Sequence, residues 1–553
     1  MWHGVLLLLA AATVVAAQTG TAGSISGVVR DAGTGAPLAG VRVSVAGGEA
    51  TTDSQGRFRF EAIEPGPKRV WASDRARGAG AGASVTVRAG EEAAVEIRLR
   101  LGGAIGGRVV DSGGLPVADA VVLLLERRYR YGGLVYSPDQ TVATDNRGEY
   151  RLEGVAAEQG LLILAKKTLK ATAADPVPPY DDRERVLLPT FYGNSAEIPG
   201  AQIVELASGE HRERVDIRMT EAPGYCIEGA ADGAGAVKEV FVSFTERLSF
   251  DSGWALTPAT VKANAEGTFR ACGFHPGEYR MMATSAPPGS GLPERVSGWA
   301  VTSIAWGSAI IADKDLRNVK LLASAAVEIA GDAEFDPPPR EKSVGIQIGL
   351  VRFVNGGEGY ADSVEKPPTS GMFGIMGTGG RSVVPGPFSL GRQRPGEFEL
   401  RISRLPAGCY VKDAKYGVQD LVHGLLRVGE AAGEERVRLA IACDGASVTA
   451  RVMDTDGKPV AHAMVYLFDA DAGSPGALAG SLRRAEVVGG WSTPLTALRP
   501  GKYLALASEL DVSPAGASAD DIEKLWRVKN EAKEVEIGTG GMVEAAIGYI
   551  AGR

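Results

Sequence analysis

The sequence predicts an all-β chain built as a tandem array of about five Greek-key β-sandwiches. Three observations lead there. One stretch of about twenty residues recurs five times, strands of period-two apolar alternation flank its copies, and the composition favours turns. The 553 residues include 74 glycines and 30 prolines, with 23% charged and only 6% aromatic residues. Alternating apolar positions mark half-buried strands, and short strands evenly spaced between turn signals indicate sandwiches or barrels. The chain is too long for a single core. A formal charge of −8, without any dense basic run, argues against nucleic acid or an anionic membrane as partner.

The elements follow in chain order. Val5 to Val15 is apolar but too short to span a bilayer, and Val15 and Ala17 fit a small-x-small cleavage site. Residues 1–17 therefore read as a signal peptide cut after Ala17, although His3 is the only basic-type residue of its first segment. Residues 18–23 form a linker. No later segment reads as a transmembrane helix. The expectation is an exported protein (periplasmic, cell-surface or extracellular) with no membrane span in the mature chain.

The recurring stretch is clearest as TTDSQGRFRFEAIEPGPKRVWA at 51–72. It returns as ATDNRGEYRLEGVAAEQGLLILA at 143–165 and KANAEGTFRACGFHPGEYRMMA at 262–283. Degraded copies are read at 393–414 (QRPGEFELRISRLPAGCYVKDA) and 487–507 (VVGGWSTPLTALRPGKYLALA). In it, Asp53 or Asp145 opens a tight turn closed by Gly56 or Gly148. The aromatic two residues on, Phe58, Tyr150 or Phe269, is expected in the core. A Pro-Gly, as at 65–66, 276–277 and 500–501, then turns the chain into another strand. Alternating strands precede it at 25–45, 105–125 and 448–468. Divided this way, the sandwiches span 24–100, 101–220, 221–322, 323–443 and 444–553.

These motifs carry a resemblance. I-x-G-x-V followed by G-x-P-L-A-G-V-x-V at 25–43, T-D-x-x-G-x-F-x-F at 52–60 and the Pro-Gly at 65–66 resemble the carboxypeptidase regulatory-like domain. That family has a transthyretin-like (prealbumin-like) Greek-key sandwich fold and is common in secreted bacterial proteins. The third and fourth repeats lack the opening Gly-x-Pro. Family members often precede a carboxypeptidase domain or an outer-membrane receptor barrel, and neither is read in residues 101–553. The resemblance implies a non-catalytic module, sometimes linked to carbohydrate binding because starch-binding domains have a related fold.

Four cysteines allow three pairings. Cys409 opens the strand after Pro-Ala-Gly and Cys443 closes the last strand of the same repeat, which places them together in an antiparallel pair. Cys226 precedes the core-phased Ile227 and Cys272 follows the core-phased Phe269 by three. Both are out of phase with the core, so a surface bridge between them is expected. Disulfides accord with export. No CxxC motif supports zinc.

Interruptions of the repeat are the places for function. RRYRYGGLVY at 127–136 offers Arg128, Tyr129, Tyr131 and Tyr136 as ligand or partner contacts, against a reading as a long twisted hairpin with a solvated edge. The connection 172–200 contains Tyr180, Phe191 and Tyr192 and reads as an ordered loop laid on the sandwich. Residues 356–384 are glycine-rich around Met372, Phe373 and Met376. A helix is expected near 518–532, capped by Ser518, with Asp520 and Asp521 at its positive end and Ile522, Leu525 and Trp526 on its apolar face. It is expected to seal an edge of the last sandwich.

Catalytic motifs are missing. His211, His275, His423 and His462 stand in separate contexts, with no HExxH or HxxE, and GxSxG is absent. GAGAGA at 78–83 lacks the strand-to-helix setting of a phosphate loop, and DTDG at 454–457 reads as an Asx turn rather than a calcium loop. No catalytic residue, cofactor or metal site is expected. The leading reading is an exported non-enzymatic module, structural or interacting, at the cell envelope. The alternatives are a carbohydrate-binding protein using exposed aromatics such as Tyr129, Tyr131 and Trp254, and a hydrolase whose site converges from separate loops.

Overall fold

The computed structural model describes residues 22–75, 77–130, 133–168, 184–232, 240–248, 259–285, 302–322, 327–338, 346–354, 357–360, 381–383, 386–393, 396–429, 435–510, 512, 514 and 517–550. The expected signal peptide, Tyr131, Tyr180, Trp254 and Met372 to Met376 lie outside these residues. The chain divides into two compact units, 1–102 and 103–553.

The first unit is one sandwich. Its strands are β1 (Gly23–Asp31), β2 (Arg42–Val45), β3 (Gly48–Thr51), β4 (Arg57–Ile63), β5 (Gly66–Asp74), β6 (Ala79–Val87) and β7 (Glu92–Leu99). One sheet has the order β4-β1-β7 and the other β3-β2-β5-β6. Alternation does the sorting: in β4 Phe58 and Phe60 are buried while Arg57 and Arg59 face out. Ile25, Val29, Val43, Val70 and Ile97 fill the space between the sheets.

The second unit repeats this plan. β8 (Gly103–Val110), β9 (Ala120–Arg130), β10 (Gly133–Ala143), β11 (Glu149–Val155), β12 (Leu161–Lys167), β13 (Arg185–Leu187), β14 (Thr190–Phe191), β15 (His211–Arg212) and β16 (Ile217–Arg218) belong to the second sandwich. The third contains β17 (Glu221–Pro223), β18 (Tyr225–Ala231), β19 (Val240–Glu246), β20 (Ala259–Lys262), β21 (Thr268–Phe274), β22 (Gly277–Ser285), β23 (Thr302–Ile311) and β24 (Leu316–Leu321). The sheets are β11-β8-β15 with β10-β9-β12-β14, then β21-β18-β24 with β20-β19-β22-β23.

In the fourth sandwich come β25 (Val327–Phe335), β26 (Ile346–Val354), β27 (Gly357–Tyr360), β28 (Arg381–Val383), β29 (Gly386–Gln393), β30 (Gly396–Ser403), β31 (Tyr410–Tyr416), β32 (Gln419–Asp420), β33 (Leu426–Val428) and β34 (Val437–Ala442). The fifth has β35 (Ala446–Met453), β36 (His462–Asp469), β37 (Arg483–Val488), β38 (Trp491–Ser492), β39 (Leu495–Leu498), β40 (Gly501–Ser508), β41 (Lys533–Ile537) and β42 (Met542–Ile550), all in one eight-stranded sheet. In every sandwich the opening strand runs parallel to the closing one: β1 with β7, β8 with β15 and β16, β18 with β24, β25 with β34, and β35 with β42.

The recurring stretch now has a physical account. Gly27 lies opposite Phe58, Gly107 opposite Tyr150, Gly229 opposite Phe269 and Gly331 opposite Phe388. A Cβ on these glycines would sit 2.4, 3.0, 2.8 and 2.3 Å from the facing ring. It would also sit 2.0–2.7 Å from a valine carbonyl of the parallel strand. The glycine of I-x-G-x-V is therefore the floor on which the aromatic lies. In the turn, Asp53 Oδ1 accepts the N–H groups of Gln55 and Arg57, and Asp145 Oδ1 those of Arg147 and Glu149, all at 2.8 Å. Asp454 Oδ1 likewise accepts from Asp456 and Lys458, so DTDG is an Asx turn.

Two expectations need correction. In the fourth sandwich the aromatic that faces the opening-strand glycine is Phe388 on β29, upstream of the copy read at 393–414, while Phe398 is buried elsewhere in the same core. Phe398 follows Gly396, in the place held by Tyr279 after Gly277 and Tyr503 after Gly501, so the copy read at 393–414 began half a repeat late. Cys226 and Cys272 do form a disulfide across β18 and β21, as do Cys409 and Cys443 between the start of β31 and the end of β34. The first bridge is buried rather than on the surface. β13, from the long connection of the second sandwich, pairs with β17 just before Cys226 and packs against β21.

Two outcomes follow. Gly107→Ala should destabilise the second sandwich by about 1–3 kcal/mol through overpacking, read as an earlier midpoint in urea unfolding; an unchanged midpoint removes the floor argument. Non-reduced peptide mapping should recover only 226–272 and 409–443, and each bridge should contribute about 4 kcal/mol through loop closure in the unfolded chain.

Candidate functional site

The arginine–tyrosine run sits at the end of the β9–β10 hairpin, paired from Val121↔Ala143 to Arg130↔Gly133. Its surroundings differ from the solvated edge that the sequence suggested. Helix α2 (Ala519–Arg527) of the fifth sandwich lies against it. Ser518 caps this helix, its Oγ accepting the N–H of Asp521 at 3.1 Å, which fixes Asp520 and Asp521 in the first turn. Ile522 and Leu525 face inward onto Tyr466, Phe468 and Leu506 of β36 and β40. The helix thus covers the face of that sheet rather than sealing its edge. A shorter helix, α1 (Pro475–Ser481), joins the same cluster through Leu478. Ser474 before Pro475 was the readable signal for α1.

The hairpin meets the outward flank of α2. Arg127 donates to Asp520 Oδ1 and to Glu523 Oε1, each at 3.0 Å, and the Tyr129 hydroxyl donates to the same Glu523 oxygen at 3.2 Å. The N–H of Gly160 reaches Asp520 Oδ2 at 2.9 Å. The Tyr129 ring packs beside the apolar cluster under α2. Burial, and then the negative charge of Glu523, push the Tyr129 hydroxyl above its ordinary value, so it remains a donor. Arg128 pairs with buried Glu126 on its own strand. Burial pushes the Glu126 carboxyl up, with Arg128 opposing. Tyr136 is half-buried against the apolar cluster that contains Leu123, Leu125, Leu162 and Leu164. Arg128, Tyr129 and Tyr136 therefore do not converge on an open ligand site.

A second cluster was not foreseen. Lys166 on β12 forms an ion pair with Glu246 on β19, and the other Glu246 oxygen lies 2.8 Å from His275 Nε2. Nδ1 of His275 faces the Pro276 carbonyl at 2.7 Å, and the Tyr279 hydroxyl donates to the His275 carbonyl. Lys166 and Glu246 side chains are 6% and 2% exposed, so the charges are matched inside protein, between the second and third sandwiches. Burial alone would raise the Glu246 carboxyl; the His275 hydrogen bond and the Lys166 charge win and hold it below its ordinary range. Leu248 lies just beyond, against Leu162, Leu164 and Phe191 of the second sandwich. A lysine ending the apolar run LLILAK was the only trace of this in the sequence.

Among the described residues no group of three or more His, Cys, Asp or Glu is placed to hold a metal. A cleft of about 800 Å³ beside α2 is lined by Glu158, Glu205, Arg212, Lys524 and Arg527, among others, a set of mixed sign.

Residues 24–100 match the family model of the carboxypeptidase regulatory-like domain. No curated protein matches the chain. Among solved structures, the shaft pilin SpaA of Lactobacillus rhamnosus GG is 10% identical, covering 37% of this chain and 97% of its own, with a TM-score of 0.19. A minor pilin of Streptococcus agalactiae is 16% identical over 36% of this chain and 96% of its own, at 0.20. The Bacillus anthracis TIE protein is 9% identical over 92% and 66%, at 0.14. Function is therefore argued from the residues of this chain. The regulatory-like match and the Greek-key plan agree on a β-sandwich array, and no described helix is long and apolar enough to cross a membrane.

Removing one partner of the buried pair should cost more than removing an exposed one. Lys166→Met should destabilise by about 3–5 kcal/mol because it strands Glu246, read by thermal unfolding against the exposed-pair control Arg59→Ala. The pH dependence has a definite sign. Glu246 has a depressed folded value, so its stabilisation is present above the ordinary 4.5 and is lost as pH falls below it. Glu246→Gln should flatten that acid limb; an unaltered limb places the acid sensitivity elsewhere.

Proposed function

We propose that this is an exported, non-catalytic multi-sandwich protein that serves as a structural or interaction module at the cell envelope. The observation that carries this reading is the contact between Arg127 and Tyr129 of the second sandwich and Asp520 and Glu523 of the fifth, almost four hundred residues apart. A string of independent beads would not spend its most chemical-looking residues on such a link. Other contacts run between successive sandwiches: Lys166 with Glu246, Arg280 within electrostatic reach of Glu397, and Tyr410 with Asp444 at 3.2 Å. They complete a circuit from second to third, fourth and fifth sandwiches and back. Such a pre-assembled body presents fixed outer surfaces without ordering cost on binding. Two disulfides suit an oxidising compartment beyond the cytoplasm, and cleavage after Ala17 would deliver the chain there.

Of the residues that motivated a carbohydrate reading, Arg128, Tyr129 and Tyr136 serve internal contacts, while Tyr131 and Trp254 lie outside the described residues.

The double variant Arg127→Ala/Tyr129→Ala should open the circuit. Small-angle scattering is expected to give a larger radius of gyration than the parent, with protease cleavage appearing near α2. Identical scattering curves would remove the link from the proposal. Fractionation and N-terminal sequencing should place the chain outside the cytoplasm with Gln18 first.

A further inference from the structure

Strand β6 (Ala79–Val87) forms one edge of its sheet, and that edge is unguarded. Proteins block edge-to-edge pairing with short edge strands, charges, prolines or bulges. The other edges of this chain follow the rule. β4 and β7 carry charged side chains, β3 stops after four residues, β10 contains Pro138, and the ladder of β23 with β22 shifts register. β6 runs for nine residues, AGAGASVTV, without a charge or a proline. Its register with β5 is unbroken from Gly66↔Val87 to Asp74↔Ala79. Among the described edge strands longer than three residues, it alone lacks every such device. Among the described residues it pairs only with β5, so alternate residues turn N–H and C=O groups away from the sheet. Gly80 and Thr86 are exposed.

We propose that β6 is a self-association edge, pairing antiparallel with β6 of a second copy of this chain about a twofold axis at Ala83. In that register Ala79 faces Val87 of the twin, Gly80 faces Thr86, Ala81 faces Val85 and Gly82 faces Ser84. No pair sets two large side chains or two like charges against each other. The small side chains decide for a copy over a foreign peptide. Strand addition takes its affinity from the main chain and its choice of partner from pockets for alternate side chains. β6 offers glycine and alanine where such pockets would be, whereas a twofold axis requires only that one surface fit itself. Trp71 points the same way. Its indole lies over Gly80 and Gly82, where a Cβ would sit 2.9 and 2.7 Å from the ring, and is still 43% exposed. Pairing about Ala83 extends this bare floor by the twin's own glycines, so each ring gains a covered flank. Beyond the strand, the axis carries Arg75, whose side chain has no partner among the described residues, toward Glu91 at the far end of the twin. The chain already satisfies an edge by strand addition, where β13 pairs with β17.

The inference rests on the reading of the chain as a structural or interaction module and names a second copy as its partner. The test is sedimentation velocity of the full chain from Gln18 over a concentration series, where a monomer–dimer equilibrium is expected. Thr86→Lys adds an edge charge and Thr86→Pro removes an N–H; each should raise the dissociation constant by about tenfold or more. Thr86→Lys leaves the ladder with β5 intact, so it decides the matter should Thr86→Pro lower the thermal unfolding midpoint. Register is read separately by cross-linking. Directly opposed residues have Cα atoms about 4.5–5.5 Å apart, within disulfide reach. Ala83→Cys, on the axis, should therefore give a disulfide-linked dimer on a non-reducing gel, and Thr86→Cys, facing Gly80, should not. The proposal is overturned if the chain sediments as a monomer throughout, if Thr86→Lys dimerises like the parent, or if Thr86→Cys cross-links as readily as Ala83→Cys. A monomer still recovered outside the cytoplasm overturns the pairing alone. A chain retained in the cytoplasm overturns the envelope reading whatever its oligomeric state.

Discussion

A glycine in the opening strand facing an aromatic in the next one organises this protein. The pair is a mutual requirement: the ring can cross the neighbouring strand only where no Cβ stands, and the bare backbone is shielded from water only if the ring covers it. Gly27 with Phe58, Gly107 with Tyr150, Gly229 with Phe269 and Gly331 with Phe388 are four instances in sequences that otherwise diverge. Each places an aromatic of large buried area at the centre of its sandwich and fixes register, since a one-residue slip would drive the ring into a side chain. The fifth sandwich tests the logic. Ala450 replaces the glycine, no aromatic faces it, and Ser492 Oγ instead accepts the Ala450 N–H at 2.8 Å. Both halves of the pair were lost together.

With the core settled in this way, evolution of the array is a matter of outer faces. The β9–β12 face of the second sandwich and the β36–β40 face of the fifth became apolar and were covered, one by residues 190–201 and Leu248, the other by two helices and the tip of a hairpin. The first sandwich retained polar residues and a single indole. The same backbone thus yields docking faces and an open one by changing which side chains stand at alternate strand positions, without touching the glycine–aromatic centre.

The sequence revealed the repeats because the residues that build them are local. Asp53 and Asp145 cap their own turns, and the threonine before each accepts the N–H of Val41 or Ala120 and donates to the carbonyl of Leu38 or Val117 within the same repeat. Such patterns survive as linear text. The cysteine pairs were readable for the same reason, being ladder neighbours, but the burial of Cys226 was not, because β13 arrives from another sandwich. The fourth copy was misplaced because its Pro-Gly half looks like the opening half when Phe388 is overlooked. Tyr129 and Arg127 drew notice as unusual residues, yet their partners lie in a helix about 390 positions away. No linear pattern carries that distance. Lys166, Glu246 and His275 were hidden more deeply, each plain in its own segment and meaningful only together.

Those long-range contacts share a chemistry that bears on how the array chooses its arrangement. Related sandwiches with apolar outer faces, as in the second and fifth, could stack in several wrong orders, because hydrophobic burial is non-directional. A buried charge is not so tolerant. Lys166 desolvated against any sandwich lacking a carboxylate at the place of Glu246 would lose several kcal/mol, and Arg127 without Asp520 and Glu523 would lose both of its charge-assisted hydrogen bonds. Neither pair has to add much to net stability to matter, since replacement by apolar residues often costs little. Their effect is on the alternatives. The ion pairs specify that second meets third and fifth, while Leu248, Leu164 and Ile522 supply the burial that holds the matched faces together.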